Sequence, residues 1–244
     1  MEHKLLNISS RQRTSGTNSN FRLNLNNSEG LQACKSIILK SASIPNTVYN
    51  INEFNNIILL GTSGADFTDT VPVGQYTINE LITYLTTALT AYTPTITFDS
   101  KTSKLRFQTT TPLEYKIFSD GNTIADVLGI TVASSGLVTD FTPASSISLE
   151  GLQNVFIASQ TLGESNFISS LGLDKNFIGI IPITVPYGQI EHYTTNHADI
   201  DDFDSLSAQH GKNIQAIDVV LYDELGNIID TNGHHIDLTF KIYY

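Results

Sequence analysis

The sequence is short of the residues that usually carry chemistry. Its 244 residues include one cysteine, Cys34. No disulfide can therefore close within the chain and no cysteine-based zinc site can assemble, which fits a reducing compartment of synthesis. Cys34 reads as a small core residue. Charge is scarce as well: 15% of the residues are Asp, Glu, Lys or Arg, against about a quarter in an average domain. Cations are the scarcer sign, with 13 Lys and Arg against 24 Asp and Glu and a formal charge of −11. Such a chain as a whole repels nucleic acid and anionic membranes, so its partners are expected to be proteins. Long apolar runs are missing too. The N-terminal patch is only Leu5, Leu6 and Ile8, and the run from Phe177 to Val185 is broken by Gly179 and Pro182; neither makes a signal peptide or a membrane span. No nucleophile elbow, phosphate loop, H-E-x-x-H or dinucleotide fingerprint occurs. The paired carboxylates of a glycoside hydrolase need not be adjacent in a chain, and nothing here nominates a pair. The expectation is a protein without catalytic residues, metal or cofactor.

What is present favours strands. Hydrophobic residues make up 40% of the chain, enough for a proper core, and Asn, Thr and Ser are plentiful. The most informative stretch is the last, Asn213 to Tyr244. Ile214, Ala216, Val219 and Leu221 lead into Asp223-Glu224-Leu225-Gly226-Asn227, which reads as two strands and their turn. In the second strand the period-two alternation puts Ile236, Leu238, Phe240, Ile242 and Tyr244 on one face and Asp237, Thr239, Lys241 and Tyr243 on the other. A strand this apolar must be tucked into a sheet, because an unpaired apolar edge invites aggregation; no tail is expected beyond it.

From the start, residues 1–18 read as a polar arm rich in turn formers, either flexible or lying along a partner, and able to tether the protein to a neighbour. Arg11 and Arg13 are its only basic pair. Phe21, Leu23 and Leu25 form a first strand, followed by a turn at residues 26–30. Cys34 to Ser43 form a second strand, in which consecutive Ile37, Ile38 and Leu39 suggest burial on both faces. Pro45 should stop it. A third strand, Asn56 to Leu60, precedes a Gly/Ser/Thr/Asp loop.

The pattern changes at Pro72. Thr77-Ile78-Asn79-Glu80 has the spacing of a capping box, so a helix should start there. Ile78, Leu81, Ile82, Leu85 and Leu89 give it one core-facing stripe, and Pro94 closes it. A hairpin follows, Thr95 to Phe98 with Lys104 to Phe107, then a strand at Tyr115 to Phe118 and a short helix from Thr123 to Leu128 stopped by Gly129. After Ser146 the strand character returns, at Val155 to Ala158, at Phe177 to Ile183 with Pro182 marking an edge or bulge, and at Ile190 to Thr194, with a polar loop at 163–174. About eight strands outside the helical region point to an antiparallel sandwich. The predicted fold is mainly β, a jelly-roll antiparallel sandwich formed by residues 1–51 and 147–244, with a small α+β domain of helix plus hairpin, 52–146, inserted.

Two polar clusters invite a metal reading. Glu191 and His192 precede His197 and the acidic run Asp199 to Asp204, whose alternating oxygens could wrap calcium. The run lacks the central glycine and closing glutamate of the common calcium loop, so it reads as a solvated acidic loop at the surface or at a subunit contact. His234 and His235 are neighbours whose side chains would point to opposite faces of a strand, which suits a turn and edge feature rather than a shared ion.

Four stretches together resemble a known family: Arg11 to Phe21, Ser41 to Ile51, Val71 to Leu81, and Leu221 to Asn227 with Asp237-Leu238. They are similar to penton (vertex) capsid proteins of virophages and polinton-type viruses, the Mavirus-like virophages above all. The resemblance implies a single jelly roll in the capsid floor carrying an inserted outer domain, assembled as a homopentamer at the icosahedral vertices of the virion. Its implied partners are further copies of itself, the major capsid protein and other minor capsid proteins, after synthesis in the host cytoplasm. It implies no catalytic or metal-binding residues. The alternative is a β-sandwich carbohydrate-binding or host-attachment protein, for which ten Tyr and no Trp leave the aromatic platform undecided.

Overall fold

The computed structural model describes residues 3–25, 31–116, 123–162, 176–195 and 207–244. The chain divides into two compact units, one made of Met1–Val48 with Leu152–Tyr244 and the other of Tyr49–Gly151. The first unit opens with β1 (His3–Ser9), a 3-10 turn (Ser10–Gln12), β2 (Ser15–Gly16), β3 (Asn20–Asn24) and β4 (Leu31–Pro45). The second contains β5 (Ile57–Gly61), β6 (Asp66–Thr70), helix α1 (Ile78–Ala88), β7 (Thr95–Asp99), β8 (Lys104–Tyr115), helix α2 (Ala125–Leu128) and β9 (Val138–Phe141). The first then resumes with β10 (Asn154–Ala158), β11 (Phe177–Pro182), β12 (Ile190–Thr194), β13 (Ser207–Ile214), β14 (Ala216–Tyr222) and β15 (Asp237–Tyr243).

The first unit's pairings are nested. β1 pairs with β15, β3 with β14, β4 with β12 and β13, and β10 with β11, all antiparallel. This is the connectivity of one long antiparallel ribbon folded at its middle. Additional pairing of β15 with β4 and of β14 with β10 rolls the ribbon into two five-stranded sheets, β1-β15-β4-β12 with β13 also on β4, and β11-β10-β14-β3-β2. A ribbon rolled into a two-sheet sandwich is a jelly roll. The inner faces supply one core: Ile217, Val219 and Leu221 of β14, Leu238, Phe240 and Ile242 of β15, Phe21 and Leu23 of β3, and Val155 and Ile157 of β10 are all buried.

In β4 the buried residues change phase, from Ile37 and Leu39 to Ala42 and Ile44. The cause is a bulge. The register against β15 steps from Thr239↔Ser41 to Phe240↔Leu39, leaving Lys40 unmatched, and one extra residue swaps the faces of everything beyond it. Ile38 lies on the other face, half-buried, so the run Ile37-Ile38-Leu39 does not bury both faces equally. Pro45 ends the strand, where it has no ladder bond to donate.

Two sequence expectations are corrected here. Residues 3–18 are not a free arm. His3–Ser9 form a seven-residue strand in unbroken register with β15, from His3↔Tyr243 to Ser9↔Asp237. The segment shows little apolar period because one side chain, Ile8, is fully buried, and the backbone ladder does the rest. Beyond it Ser10 is also buried; its amide donates to the Ile236 carbonyl at 3.0 Å and its hydroxyl accepts from the Ile236 amide at 3.0 Å. The second correction concerns the final two strands. β14 and β15 lie in opposite sheets; the turn at Asp223–Asn227 returns the chain only to an isolated Tyr222↔Ile228 bridge, after which residues 229–236 cross over, burying Ile229 and Ile236.

The second unit is built on β6-β5-β8-β7, with β9 also paired to β8. Helix α1 starts where the capping box predicts: the Thr77 hydroxyl accepts from the Glu80 amide at 3.3 Å, and the Glu80 carboxylate accepts from the Thr77 amide at 2.8 Å. Leu81, Leu85 and Leu89 are buried, and they join Leu105, Phe107, Leu113 and Tyr115 of β8 in this unit's core. The predicted strand at Tyr115 is the end of one long β8 running through Pro112, which falls inside a register shift between Gln108 and Leu113 where no ladder donor is required; residues 117 and 118 lie outside the described residues. The Gly/Ser/Thr/Asp loop after β5 contains β6, and β9 is a further strand absent from the sequence reading. Gly129 closes α2 with φ +75, and a Cβ there would stand 2.3 Å from the Ser145 carbonyl oxygen, so glycine is required by both backbone and space.

Candidate interaction surfaces

The residues that sequence reading offered for chemistry are not brought together. Glu191 is buried, and its carboxylate accepts from the Thr184 amide at 2.7 Å and the Thr184 hydroxyl at 2.9 Å. His192, the next residue on β12, is exposed and its Nδ1 sits 3.1 Å from the Ser43 hydroxyl. Successive strand residues face opposite ways, which separates the two. His197 and Asp199 to Asp204 lie outside the described residues, as do the turn at 26–30 and the loop at 163–174. His235 Nδ1 is 3.2 Å from the Ser10 hydroxyl, while His234 is exposed. Among the described residues no group of three or more His, Cys, Asp or Glu is arranged to hold a metal ion.

Arg11 and Arg13 also diverge. Arg13 is spent on its own turn: its guanidinium donates to the Ser10 carbonyl at 2.9 Å, the Gly16 carbonyl at 3.1 Å and the Asn18 side-chain oxygen at 2.8 Å. Arg11 is exposed. Cys34 is fully buried, and burial pushes its thiol up to about 11, which makes it unreactive.

The polar residues that do converge hold the scaffold. Asp218 of β14 is surrounded by donors from the segment after β10: its carboxylate accepts from the amides of Gln160 and Thr161, each at 2.8 Å, and from the Thr161 hydroxyl at 2.5 Å. Partial burial opposes its charge, but the Thr161 hydroxyl and the two amides outweigh that and hold the carboxyl below its usual range. In the second unit, buried Asn50 donates to the carbonyls of Tyr76 at 2.8 Å and Leu149 at 3.1 Å and accepts from the Tyr76 amide at 2.9 Å. It staples the segment that enters the unit to the one that leaves it. On the surface of this unit Arg106 forks onto Asp140, and Lys116 lies 2.7 Å from Asp66 and 2.9 Å from Glu114.

What the first unit offers to other molecules is sheet edge. Strand edges carry unpaired donors and acceptors, which proteins blunt with short strands, prolines or bulges unless a partner covers them. β2 has two residues, β11 ends in Pro182, and the β13 ladder is interrupted by register shifts. β1 and β12 are the exceptions among the described residues: β1 has seven residues, unbulged against β15, with Leu5 66% exposed, and β12 has five, unbulged against β4, with Ile190 51% exposed. No helix of the described residues is long and apolar enough to cross a membrane.

No protein-family model matches the sequence, and no curated protein matches it. Among solved structures the chain is similar to the crystal structure of selenomethionine-labelled mavirus penton protein, with a TM-score of 0.52 at 13% identity, covering 99% of this chain and 99% of that one. The likeness is one of fold, and it supports the jelly-roll description reached from the strand pairings.

Proposed function

We propose that the chain is a structural capsid protein, a penton that stands as a ring of five copies at the vertices of an icosahedral virion. The observation that carries this is the end-to-end structural likeness to the mavirus penton protein, which includes both the rolled ribbon and the unit lying between β4 and β10. In a five-fold ring each copy meets its neighbours through two different surfaces, a heterologous contact that closes on itself. The sandwich edges, β1 foremost, are the surfaces such contacts use. The major capsid protein surrounds the ring, with other minor capsid proteins as further neighbours. The formal charge of −11 repels copies from one another in dilute salt, so the free protein is monomeric there and closes its ring within the shell. No step in this role calls for catalysis.

The carbohydrate-binding alternative would draw on exposed rings. Among the described residues the aromatic side chains more than about a third exposed are Phe54 at 41% and Tyr187 at 39%, one in each unit, and they form no platform within either. Cryo-electron microscopy of particles assembled with this chain decides between the readings. Density for five copies at each vertex is the expected result; vertices built of another protein, with glycan binding by the isolated chain, would establish the alternative.

A further inference from the structure

The core of the second unit encloses a small cavity of about 10 Å3, lined by apolar side chains of β5, α1 and α2 and by three polar residues, Tyr115, Lys116 and Thr123. Tyr115 is 3% exposed, and its hydroxyl has no hydrogen-bond partner among the described residues. Its ring is fixed by stacking on Phe141 at 4.5 Å between centroids and by a tilted contact with Phe107 at 5.1 Å, so the hydroxyl cannot swing out to solvent. Burial raises its pKa above that of an ordinary phenol, so the group stays protonated and must both give and receive. A buried hydroxyl left bare costs free energy that most proteins avoid. Thr123 is 5% exposed; its oxygen accepts from the Ala125 amide at 3.3 Å and keeps a proton to donate. The carbonyls of Ile57 and Leu59, on two further lining residues, each accept one amide, from Ile124 at 2.9 Å and Lys116 at 3.3 Å, and each retains a second lone pair.

We propose that this cavity is a binding site for a single structural water, held by the hydroxyls of Tyr115 and Thr123. The space is of the size that one water needs, about 10–15 Å3, and a buried water is stable where two to four polar groups converge on it. The bound molecule ties β8, through Tyr115, to the segment that opens α2, through Thr123. It thereby fixes the register of two elements that otherwise meet through apolar contacts, which specify register poorly.

Magnetic relaxation dispersion of water in solutions of the full chain counts long-lived internal waters, and the comparison is wild type against Tyr115→Phe and Thr123→Val. The expected result is the loss of one long-lived water in each variant, with a lower melting temperature for Tyr115→Phe. The proposal is overturned if Tyr115→Phe melts higher than wild type with an unchanged count, because the hydroxyl was then bare and its removal a relief. It is overturned equally if the long-lived water survives both substitutions. Should Tyr115→Phe fail to fold, the count in Thr123→Val decides alone.

Discussion

At the scale of single residues, the polar side chains that matter most here act as fasteners. Asp218 is the clearest case, because its carboxylate gathers two amides and a hydroxyl from a segment 57 and 58 residues away. Replacing it with Asn keeps the shape but removes the charge and half of the accepting capacity, and should cost about 1–2 kcal/mol, modest because the site is half-open to solvent. Its pH dependence has a defined sign. The folded-state carboxyl titrates below its usual value, so its contribution is complete above the ordinary aspartate value of about 3.9 and is lost as pH falls through the lower folded value. The difference in melting temperature between wild type and Asp218→Asn should therefore be constant from neutral pH down to about pH 5 and shrink toward zero below about pH 4. A difference that grows in acid would contradict this account. Asn50→Ala should be harsher for the second unit, leaving the Tyr76 amide and the Tyr76 and Leu149 carbonyls without their partner at a cost of about 2–4 kcal/mol; amide exchange should rise in residues 49–151 and stay unchanged around Val219 and Leu221. The two fasteners also mark what a sequence can disclose. The Thr77 and Glu80 capping box was legible because its partners are three residues apart. Nothing near Asp218 in the chain announces Gln160 or Thr161.

At the scale of elements, strands were legible where one face is buried and illegible where neither is. β15 alternates as expected from Asp237 to Ile242, and departs from the expectation at Tyr243, which is buried although the period puts it on the other face; β1, β6 and β9 are strands that bury little, so no apolar period betrays them. Their existence depends on a neighbour's free backbone, a property of the assembled sheet. This reverses the expectation for the N-terminus. Deleting residues 1–9 strips β15 of one ladder and removes Ile8, fully buried, so it should destabilise the first unit by on the order of 3 kcal/mol or more. It should also expose β15 as a new apolar edge and promote aggregation. A shortened protein that melts like wild type and stays dispersed would restore the free-arm view. Removing residues 237–244 should be more severe. Leu238, Phe240 and Ile242 are 0%, 1% and 0% exposed, each is worth about 1.5–3 kcal/mol, and their sum approaches the whole stability of a domain. The first unit is not expected to fold in that truncation, and amide exchange around Val219 and Leu221 should lose its protection.

At the scale of the whole molecule, the nesting of the ribbon was not legible in the sequence. The change from period two to a capped helix and back leads one to expect an insertion at residues 52–146, and the second compact unit runs from Tyr49 to Gly151. The added residues are irregular segments that carry no period, held by Asn50 through Leu149. Because that staple brings the entering and leaving segments together within the second unit, with Asn50 Cβ 3.7 Å from the position a Cβ would take on Gly151, the unit can be excised at a narrow neck. A Gly/Ser linker of about six residues, spanning about 13 Å on average, should replace residues 49–151. The first unit keeps its nested pairings and its own core, none of whose buried members comes from the excised residues, so the shortened chain should melt in one cooperative transition. Recovery only as aggregate would show that the roll depends on the second unit. If the vertex contacts run through the sandwich edges, as proposed above, the shortened chain should also still enter particles alongside the major capsid protein. Particles that exclude it, from a variant that folds, would move those contacts to the second unit and leave the jelly roll as its carrier.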